Sequence, residues 1–214
     1  LGVLTCLRDR TEIHIDLIQN LIAPDSVRKT VENRIGRLRK KLGVGSDDLD
    51  LLPAASATGR GLNAIYDVSP LVLTDIDLLE HRLQDSEALT SGAALAVLTS
   101  GLDLMNGPLL RSRRGYEFWP NSEGVVAAMT SILQTYTARL VELAAEAKDA
   151  ALIVTSTARA ACVLDDPLAE LPIRQIEQTI AQTLGDDRLQ RSVKAARIRL
   201  NDYLDEADPL AESA

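Results

Sequence analysis

The chain has 214 residues and a net charge of −8, and 46% of its residues are hydrophobic while 25% are charged. These proportions are typical of a folded globular protein and exclude long disorder, and the length suits two small domains that each bury a core. Aromatic residues make up only 3% of the chain, which favours packed helices over β-sheets, so the composition predicts a mainly α fold.

Cys6 and Cys162 are too few and too far apart in sequence for a disulfide framework or a zinc site, so a reducing cytoplasmic setting is expected. No apolar run approaches the ~20 residues that a membrane-spanning helix needs, and no secretory signal pattern precedes the first helix. We therefore expect a soluble protein. Because Leu1 opens inside a helical pattern without an initiator methionine, we also expect the sequence to be a fragment of a longer chain.

Two helices are predicted in the first part of the chain. Residues 1–9 have the apolar spacing of the end of a first helix, and residues 12–23 have that of a second. The apolar stripe of the second helix comprises Ile13, Leu17, Ile18, Leu21 and Ile22. Pro24 ends this helix, and Asp25 and Ser26 supply an N-cap for the next one.

The next segment, residues 26–43, is an amphipathic helix and the most basic stretch of an acidic chain. It holds seven basic residues and one acidic residue, Glu32, which gives a local charge of +6. At about 100° per residue its apolar side chains fall on a single stripe, which comprises Val27, Val31, Ile35, Leu38 and Leu42. A helix, a short turn and a second, basic helix predict helix-turn-helix geometry, in which the basic helix enters the major groove of DNA.

The face opposite this stripe has features of a contact surface. Gly36 costs about 1 kcal/mol relative to alanine in a helix, and on a polar face its missing side chain is useful only where another surface approaches closely. Asn33 and Arg37 lie one turn apart and are residue types that bind base edges with two hydrogen bonds. The alternative is an ordinary solvated helix face, because Arg and Lys are good helix formers.

Residues 44–70 are rich in Gly, Ser, Ala and Asp and cannot sustain a helix, so they predict loops and short strands. Pro70 closes a first domain, residues 1–70, and residues 71–214 form a second. The two domains are expected to fold separately, because their sequence patterns differ.

The second domain begins with two predicted helices. Thr74 and Asp75 cap a helix that runs through Leu83, and an alanine-rich helix follows at residues 86–104. The Gly-Pro pair within residues 106–110 then indicates a loop.

Much of the aromatic content follows this loop, where Tyr116, Phe118 and Trp119 predict a small core plug. Four further helices are predicted at residues 124–147, 150–164, 167–184 and 187–204. Each has an apolar stripe, which in the third helix includes Ile176, Ile180 and Leu184. The two helix pairs are close in length to helical-hairpin repeats, so we interpret them as tetratricopeptide-like and expect a protein-binding surface. The alternative is a plain helical bundle without a concave site.

Four stretches of the chain resemble one family of bacterial regulators. The run TVENRIGRLRKKLG, residues 30–43, resembles the recognition helix of winged-helix effector domains of the OmpR/PhoB type, in the variant of the Streptomyces antibiotic regulatory proteins. The stretches VLTDIDLLEHRL, GLDLMNGPLL and LDDPLAELPIRQIEQTIAQTLG resemble successive landmarks of the bacterial transcriptional activator domain of that family. The resemblance implies an N-terminally truncated winged helix-turn-helix in residues 1–70, followed by a tetratricopeptide-like helical domain.

In that family the region after the recognition helix forms the wing, a β-hairpin, which the resemblance places here with strands at residues 49–52 and 62–66. The sequence departs from the family pattern, because the usual aromatic pair of the second strand is absent and Tyr66 comes later. Arg60 is the only basic residue between residues 44 and 70, so contacts from this wing to phosphate are expected to be poor.

No pattern of catalytic chemistry is present in the sequence. His14 and His81 are isolated from each other and are predicted to lie on a helix surface or edge. The run at residues 59–61 lacks the third glycine of a dinucleotide loop, and no phosphate-binding P-loop occurs. The acidic clusters within residues 47–50 and 75–77 resemble helix caps more than metal ligands. We therefore expect no enzyme activity, no catalytic residue, no cofactor, no metal and no small-molecule substrate.

The sequence predicts a DNA-binding transcriptional regulator whose helical domain binds a protein partner. The residues expected to face the groove are Lys29, Asn33, Arg37 and Lys40, and those expected to hold phosphates are Arg28, Arg34, Arg39 and Lys41. A second hypothesis follows from charge, because residues 1–50 carry +1 and the remainder carries −9, which repels DNA. It is a protein-interaction or scaffold module that keeps this architecture without binding DNA, as the cytoplasmic part of a larger, membrane-anchored protein. Its basic helix would meet an acidic partner or a lipid headgroup surface.

Overall fold

A computed structural model describes residues 13–55, 65–66, 68–109 and 124–207. These residues are mainly helical, which confirms the prediction of a mainly α protein. They fall into two compact units, an N-terminal unit up to Thr74 and a helical unit from Asp75 onward. No helix among them is long and apolar enough to cross a membrane. The N-terminal unit contains β1 (Ile13–His14), α1 (Ile15–Ile22), α2 (Arg28–Leu42) and β2 (Ile65–Tyr66). The helical unit contains α3 (Asp75–Glu87), α4 (Ser91–Ser100), a 3-10 turn (Gly101–Leu104), α5 (Val125–Glu146), α6 (Ala150–Leu164), α7 (Pro167–Leu184) and α8 (Asp187–Ala207).

The N-terminal unit consists of two helices joined by a short turn and a two-stranded antiparallel sheet. β1 pairs with β2, with Ile13 opposite Tyr66 and His14 opposite Ile65. α1 contacts both β1 and α2. The buried apolar side chains of this unit are Ile15, Ile18, Ala23, Val31, Ile35, Leu52 and Tyr66. Because each large aliphatic side chain contributes about 1.5–3 kcal/mol when fully buried, this core stabilises the placement of α2 on α1.

The first helix of this unit is shorter than the predicted span of residues 12–23. Ile13 and His14 form β1, so α1 begins only at Ile15. His14 is the N-cap, and its Nδ1 atom accepts a hydrogen bond from the amide of Asp16 at 3.3 Å. The prediction missed this strand because its partner, β2, lies far along the chain. The helix predicted at residues 1–9 lies outside the described residues.

The N-cap of α2 also differs from the prediction. α2 begins at Arg28, and its N-cap is Val27, which makes no side-chain capping hydrogen bond. Asp25 and Ser26 instead belong to the turn that joins the helices. The carbonyl oxygen of Ser26 accepts a hydrogen bond from Nε2 of Gln19 at 2.7 Å, which stabilises this turn.

The apolar stripe of α2 is confirmed in its centre and wrong at its start. Val31 and Ile35 are buried, and Leu38 and Leu42 are half-buried. Val27 is 72% exposed, because it precedes the first helical turn and does not reach the core.

The segment after α2 forms turns instead of the strand predicted at residues 49–52. A single antiparallel β-bridge joins Val44 to Asp50. Asp48 has a left-handed backbone with a φ of 61°, and Oδ1 of Asp47 accepts a hydrogen bond from the amide of Leu49 at 3.2 Å. These local bonds turn the chain too tightly for a strand. Of the second predicted strand, residues 62–66, the structure describes only Ile65–Tyr66, which is β2.

The helical unit consists of three stacked helical hairpins, α3 with α4, α5 with α6, and α7 with α8. Each helix contacts its partner within the hairpin. α5 also contacts α3 and α4, α7 contacts α5 and α6, and α8 contacts α6. Each hairpin therefore packs on the one before it.

Two apolar clusters hold the hairpins together. The first lies around α3, α4 and α5 and includes Leu79, Leu98, Met129, Leu133, Tyr136 and Leu140. The second lies around α5, α6, α7 and α8 and comprises the buried residues Val141, Ala144, Ile153, Ala181 and Leu189. All residues of both clusters belong to the helical unit, so this unit has a core of its own.

The helix predicted at residues 86–104 is wrong at both ends. α3 continues to Glu87, so Ser86 lies buried in that helix, and its hydroxyl donates to a carbonyl within it. α4 begins only at Ser91 and gives way to the 3-10 turn at Gly101. The break between α3 and α4 contains neither glycine nor proline, which are the residues that mark breaks most clearly.

The four C-terminal helices agree closely with the prediction, and α6 and α7 have the predicted bounds. Oδ1 of Asp149 caps α6 and Oδ1 of Asp166 caps α7, each by accepting an amide hydrogen bond at 2.9 Å. Gly185 ends α7 with a φ of 65°. These signals are local in sequence, which is why the bounds could be predicted. The aromatic plug predicted at Tyr116, Phe118 and Trp119 lies outside the described residues.

α7 carries two buried carboxylates that the sequence analysis missed. Glu170 is 4% exposed and Glu177 is fully buried. Arg174 lies between them, with Nη1 at 2.6 Å from Oε2 of Glu177 and Nε at 3.4 Å from Oε2 of Glu170. Thr157 of α6 donates to Oε1 of Glu177 at 3.2 Å, and Arg199 of α8 pairs with Glu170. This network joins the second hairpin to the third.

Tyr136 of α5 is fully buried, and its hydroxyl donates to the carbonyl of Leu98 in α4. Burial raises the pKa of Tyr136 to about 12, against a smaller opposing effect of the positive charge of Arg82. The neutral phenol is therefore strongly preferred in the folded state.

We expect the folded state to lose stability in alkaline solution through Tyr136. Because its pKa in the folded state is above the ordinary value of 10.0, the contribution is complete below about pH 10 and is lost as the pH rises to about 12. A difference of two pKa units corresponds to about 3 kcal/mol. Urea unfolding from pH 9 to 12 measures this loss. Tyr136→Phe should not show the loss of stability that comes from ionisation of Tyr136. Tyr203→Phe, which changes an exposed tyrosine, should keep the wild-type profile. Identical profiles for all three proteins would contradict the assignment to Tyr136.

Candidate nucleic-acid interface

α2 exposes one arc of side chains that carries no acidic residue. At about 100° per residue this arc spans about 140°. In order around the helix it comprises Lys29, Lys40, Asn33, Arg37, Thr30, Lys41 and Arg34. The five cations give it a charge of +5, and the only acidic residue of α2, Glu32, lies outside it. We call this set of residues the basic arc.

Lys29 forms an exposed ion pair at one edge of the basic arc. Its Nζ atom lies 3.5 Å from Oε2 of Glu32, and its side chain is 78% exposed. An ion pair this exposed contributes little free energy, so Lys29 can exchange Glu32 for another anion at small cost. The other predicted contact residues on the arc, Asn33, Arg34, Arg37, Lys40 and Lys41, are all exposed.

Arg28, predicted to hold a phosphate, connects the two helices instead. Its Nη1 atom lies 3.0 Å from Oδ1 of Asp16 in α1, and its Nε atom lies 3.6 Å from Oε1 of Glu32. Only 22% of its side chain is exposed. Arg28 therefore fixes the start of α2 against α1, and its charge is partly neutralised there.

Arg39, also predicted to hold a phosphate, binds the protein backbone. Its Nε atom donates to the carbonyl of Leu52 at 2.8 Å, and its Nη2 atom donates to the carbonyl of Pro53 at 3.1 Å. These bonds hold the segment after the β-bridge against the end of α2. Arg39 therefore helps to hold α2 in position and is not itself a member of the basic arc.

Gly36 lies beside the basic arc and leaves open space. A Cβ atom at this position would meet nothing within 4 Å. Packing within the described residues therefore does not require a glycine at this position. Because Gly36 has no side chain, the helix surface is lower next to Lys29 and Lys40, and another molecule can approach closely there.

The described residues contain no group of three His, Cys, Asp or Glu side chains that could hold a metal ion. His14 is used as a helix cap, and His81 is exposed on α3. Cys162 is a free, exposed thiol, and the run at residues 59–61 lies outside the described residues.

Comparisons of the chain with models of protein families, with curated proteins and with solved structures found no match. The candidate site is therefore defined by its own geometry. Sequence reasoning identified the basic arc but not the structural use of Arg28 and Arg39. On the helix both lie within about 40° of the buried Ile35, and this proximity to the apolar stripe is the signal that could have identified them.

Proposed function

We propose that the protein is a DNA-binding transcriptional regulator in which α2 enters the major groove of duplex DNA. The observation that carries the proposal is the basic arc, with a charge of +5 and no acidic residue in a chain of net charge −8. A local reversal of sign of this size on one exposed helix face is the electrostatic pattern of a phosphate-binding surface. The cytoplasm is the compartment that this function implies.

The connectivity of the N-terminal unit supports a winged helix-turn-helix. A short strand, two helices joined by a turn, and a later strand that pairs antiparallel with the first follow one another in this unit. In such an arrangement the second helix is the recognition helix. The turn between the helices is fixed by hydrogen bonds from Gln19 and Ser26 and by the ion pair between Arg28 and Asp16.

The members of the basic arc have different roles in this proposal. Asn33 and Arg37 lie near the centre of the arc, where an amide binds adenine and a guanidinium binds guanine with two hydrogen bonds each. Lys29 and Lys40 flank this pair on one side within the groove, and Arg34 and Lys41 lie on the other side. The outer cations neutralise phosphates of the two strands.

Binding of duplex DNA should weaken steeply with salt. If each of the five cations neutralises one phosphate, the slope of log K against log[salt] is about −4.5, and Arg37→Ala with Lys40→Ala should reduce it to about −2.7. Fluorescence anisotropy with a labelled duplex at several salt concentrations measures both slopes. The matched control is Arg188→Ala with Arg197→Ala, which removes two exposed arginines of α8 and should leave the slope unchanged.

A second function is favoured by the overall charge. With −9 beyond residue 50, the rest of the chain disfavours a polyanion. The protein is then an interaction or scaffold module whose basic arc meets an acidic protein surface or anionic lipid headgroups. Absence of duplex binding at low salt, or a slope that the Arg37 and Lys40 substitutions leave unchanged, would favour this alternative over DNA binding.

The helical unit completes the proposal as a tetratricopeptide-like protein-interaction domain. The support is the stacking of its three hairpins. α5 contacts both helices of the first hairpin, α7 contacts both helices of the second hairpin, and α8 contacts α6. Arrays built in this way present continuous surfaces on which a partner peptide or helix can lie. We assign recruitment of a protein partner to this unit.

A further inference from the structure

The last helix, α8, has an outer face with an isolated apolar residue at its centre. α8 packs on the rest of the unit through Leu189 and Val193. Ile198 lies about 180° around the helix from Leu189 and is 53% exposed, the highest exposure of any large apolar side chain described in the helical unit. Contact with a second apolar surface would remove the exposed area of Ile198 from water, which is favourable.

Opposite charges flank Ile198 at equal distances along the helix. Lys194 lies one turn before it and Asp202 one turn after it, and both are exposed. Neither forms an ion pair within the described part of the chain.

We propose that this face of α8 binds the same face of a second copy of the chain, with the two helices antiparallel and Ile198 on the two-fold axis. In antiparallel pairing about Ile198, the residue four positions before the centre in one copy faces the residue four positions after it in the other. Lys194 of each copy therefore meets Asp202 of the second copy. The two Ile198 side chains cover each other at the centre, and the same contacts occur twice, as a two-fold interface requires.

The same charges oppose the other pairing of two such helices. A parallel, in-register pair would place Lys194 against Lys194 and Asp202 against Asp202, which is repulsive. The sequence of α8 therefore favours one orientation and disfavours the other, as in specific helix pairing.

The interface is small and does not depend on DNA binding. One helix face from each copy buries less than the ~1,200 Å² of a typical stable interface, so we expect a weak dimer whose population depends on protein concentration. Two basic arcs in such a dimer would bind two half-sites of a duplex if the proposed function holds, and the dimer itself would remain if it does not.

Charge reversal at the two flanking positions tests the pairing. Lys194→Glu and Asp202→Lys each turn two attractive contacts into two repulsive ones, because the two-fold axis repeats every contact, so each should raise the dissociation constant about tenfold. The double variant restores opposite charges and should return to within about threefold of the wild type. Sedimentation equilibrium of the full chain over a series of protein concentrations measures all three constants.

Matched controls separate the pairing from general charge effects. Arg197→Glu and Gln190→Lys change exposed positions of the same helix that lie about 100° and about 80° around the helix from Ile198. Lys194 and Asp202 each lie only about 40° from Ile198, so both control positions are outside the proposed contact face and should leave the constant unchanged. All changed side chains are exposed, so circular dichroism should show a folded protein in every case. A chain that stays monomeric at the highest concentration, single reversals without effect, or a double variant as weak as the single ones would overturn the proposal.

Discussion

Replacing Gly101 by alanine should destabilise the helical unit by about 3 kcal/mol. A Cβ atom at this position would overlap the hydroxyl of Tyr136 and lie 2.8 Å from Cζ of the same ring and 2.9 Å from Cδ2 of Leu79. Gly101 has an ordinary right-handed helical backbone, so the effect is steric and not conformational. The tyrosine cannot move away easily, because it is fully buried and its hydroxyl is bound to Leu98.

Two variants isolate this contact. Gly92→Ala changes a glycine of α4 where a Cβ atom would meet nothing within 4 Å, and it should be neutral or stabilise by up to about 1 kcal/mol. In a Tyr136→Phe background the cost of Gly101→Ala should fall by about 1 kcal/mol or more, because the nearest atom has been removed. Urea unfolding of the wild type and these four variants (Gly101→Ala, Gly92→Ala, Tyr136→Phe and the double variant) gives these differences. Equal costs at the two glycines would contradict the packing described for Tyr136.

Replacing Arg174 by methionine should cost about 3–5 kcal/mol, because it leaves two buried carboxylates without their common partner. Among the partners within the described residues, Glu177 would keep only the hydroxyl of Thr157, and Glu170 would keep only Arg199. The stem of methionine fills much of the volume of the arginine stem, so the loss reports the charges and not a cavity. Chemical unfolding at neutral pH measures it.

The control for this prediction is a similar pair on the surface. Arg139 and Glu142 of α5 lie 3.6 Å apart with both side chains well exposed, and Arg139→Met should cost less than about 1 kcal/mol. Adding Glu177→Gln to Arg174→Met removes the negative charge of Glu177, one of the two buried carboxylates that lost Arg174. This double variant should recover about half of the lost stability. A cost at Arg174 no larger than that at Arg139 would show that the buried network does not stabilise the stacking of the third hairpin.

The fold could be predicted from the sequence where the determining residues are neighbours in the chain. α6 and α7 have their predicted bounds because Asp149 and Asp166 cap them and Gly185 ends the second of them. β1 could not be predicted, because Ile13 and His14 are consistent with the start of a helix until β2 supplies a partner. Burial of Glu170 and Glu177 was missed for the same reason, since Thr157 and Arg199 lie on other helices.

The candidate site shows the same division. The positive charge and the exposure of Asn33, Arg37 and Lys40 follow from the helical period alone. The different use of Arg28 and Arg39 depends on Asp16 in α1 and on backbone carbonyls after α2, which spacing within the helix does not reveal.

The residues that hold α2 in place differ from those of the basic arc, to which our proposal assigns recognition. Val31 and Ile35 are the buried side chains of α2, and Arg28 and Arg39 bind Asp16 and the carbonyl of Leu52. None of these four residues of α2 belongs to the basic arc. Mutations at Asn33, Arg37 or Lys41 therefore leave the contacts that hold the helix in place unchanged. A lineage carrying this helix can drift in ligand preference without passing through unfolded intermediates, and a designer can randomise the arc while the scaffold stays constant.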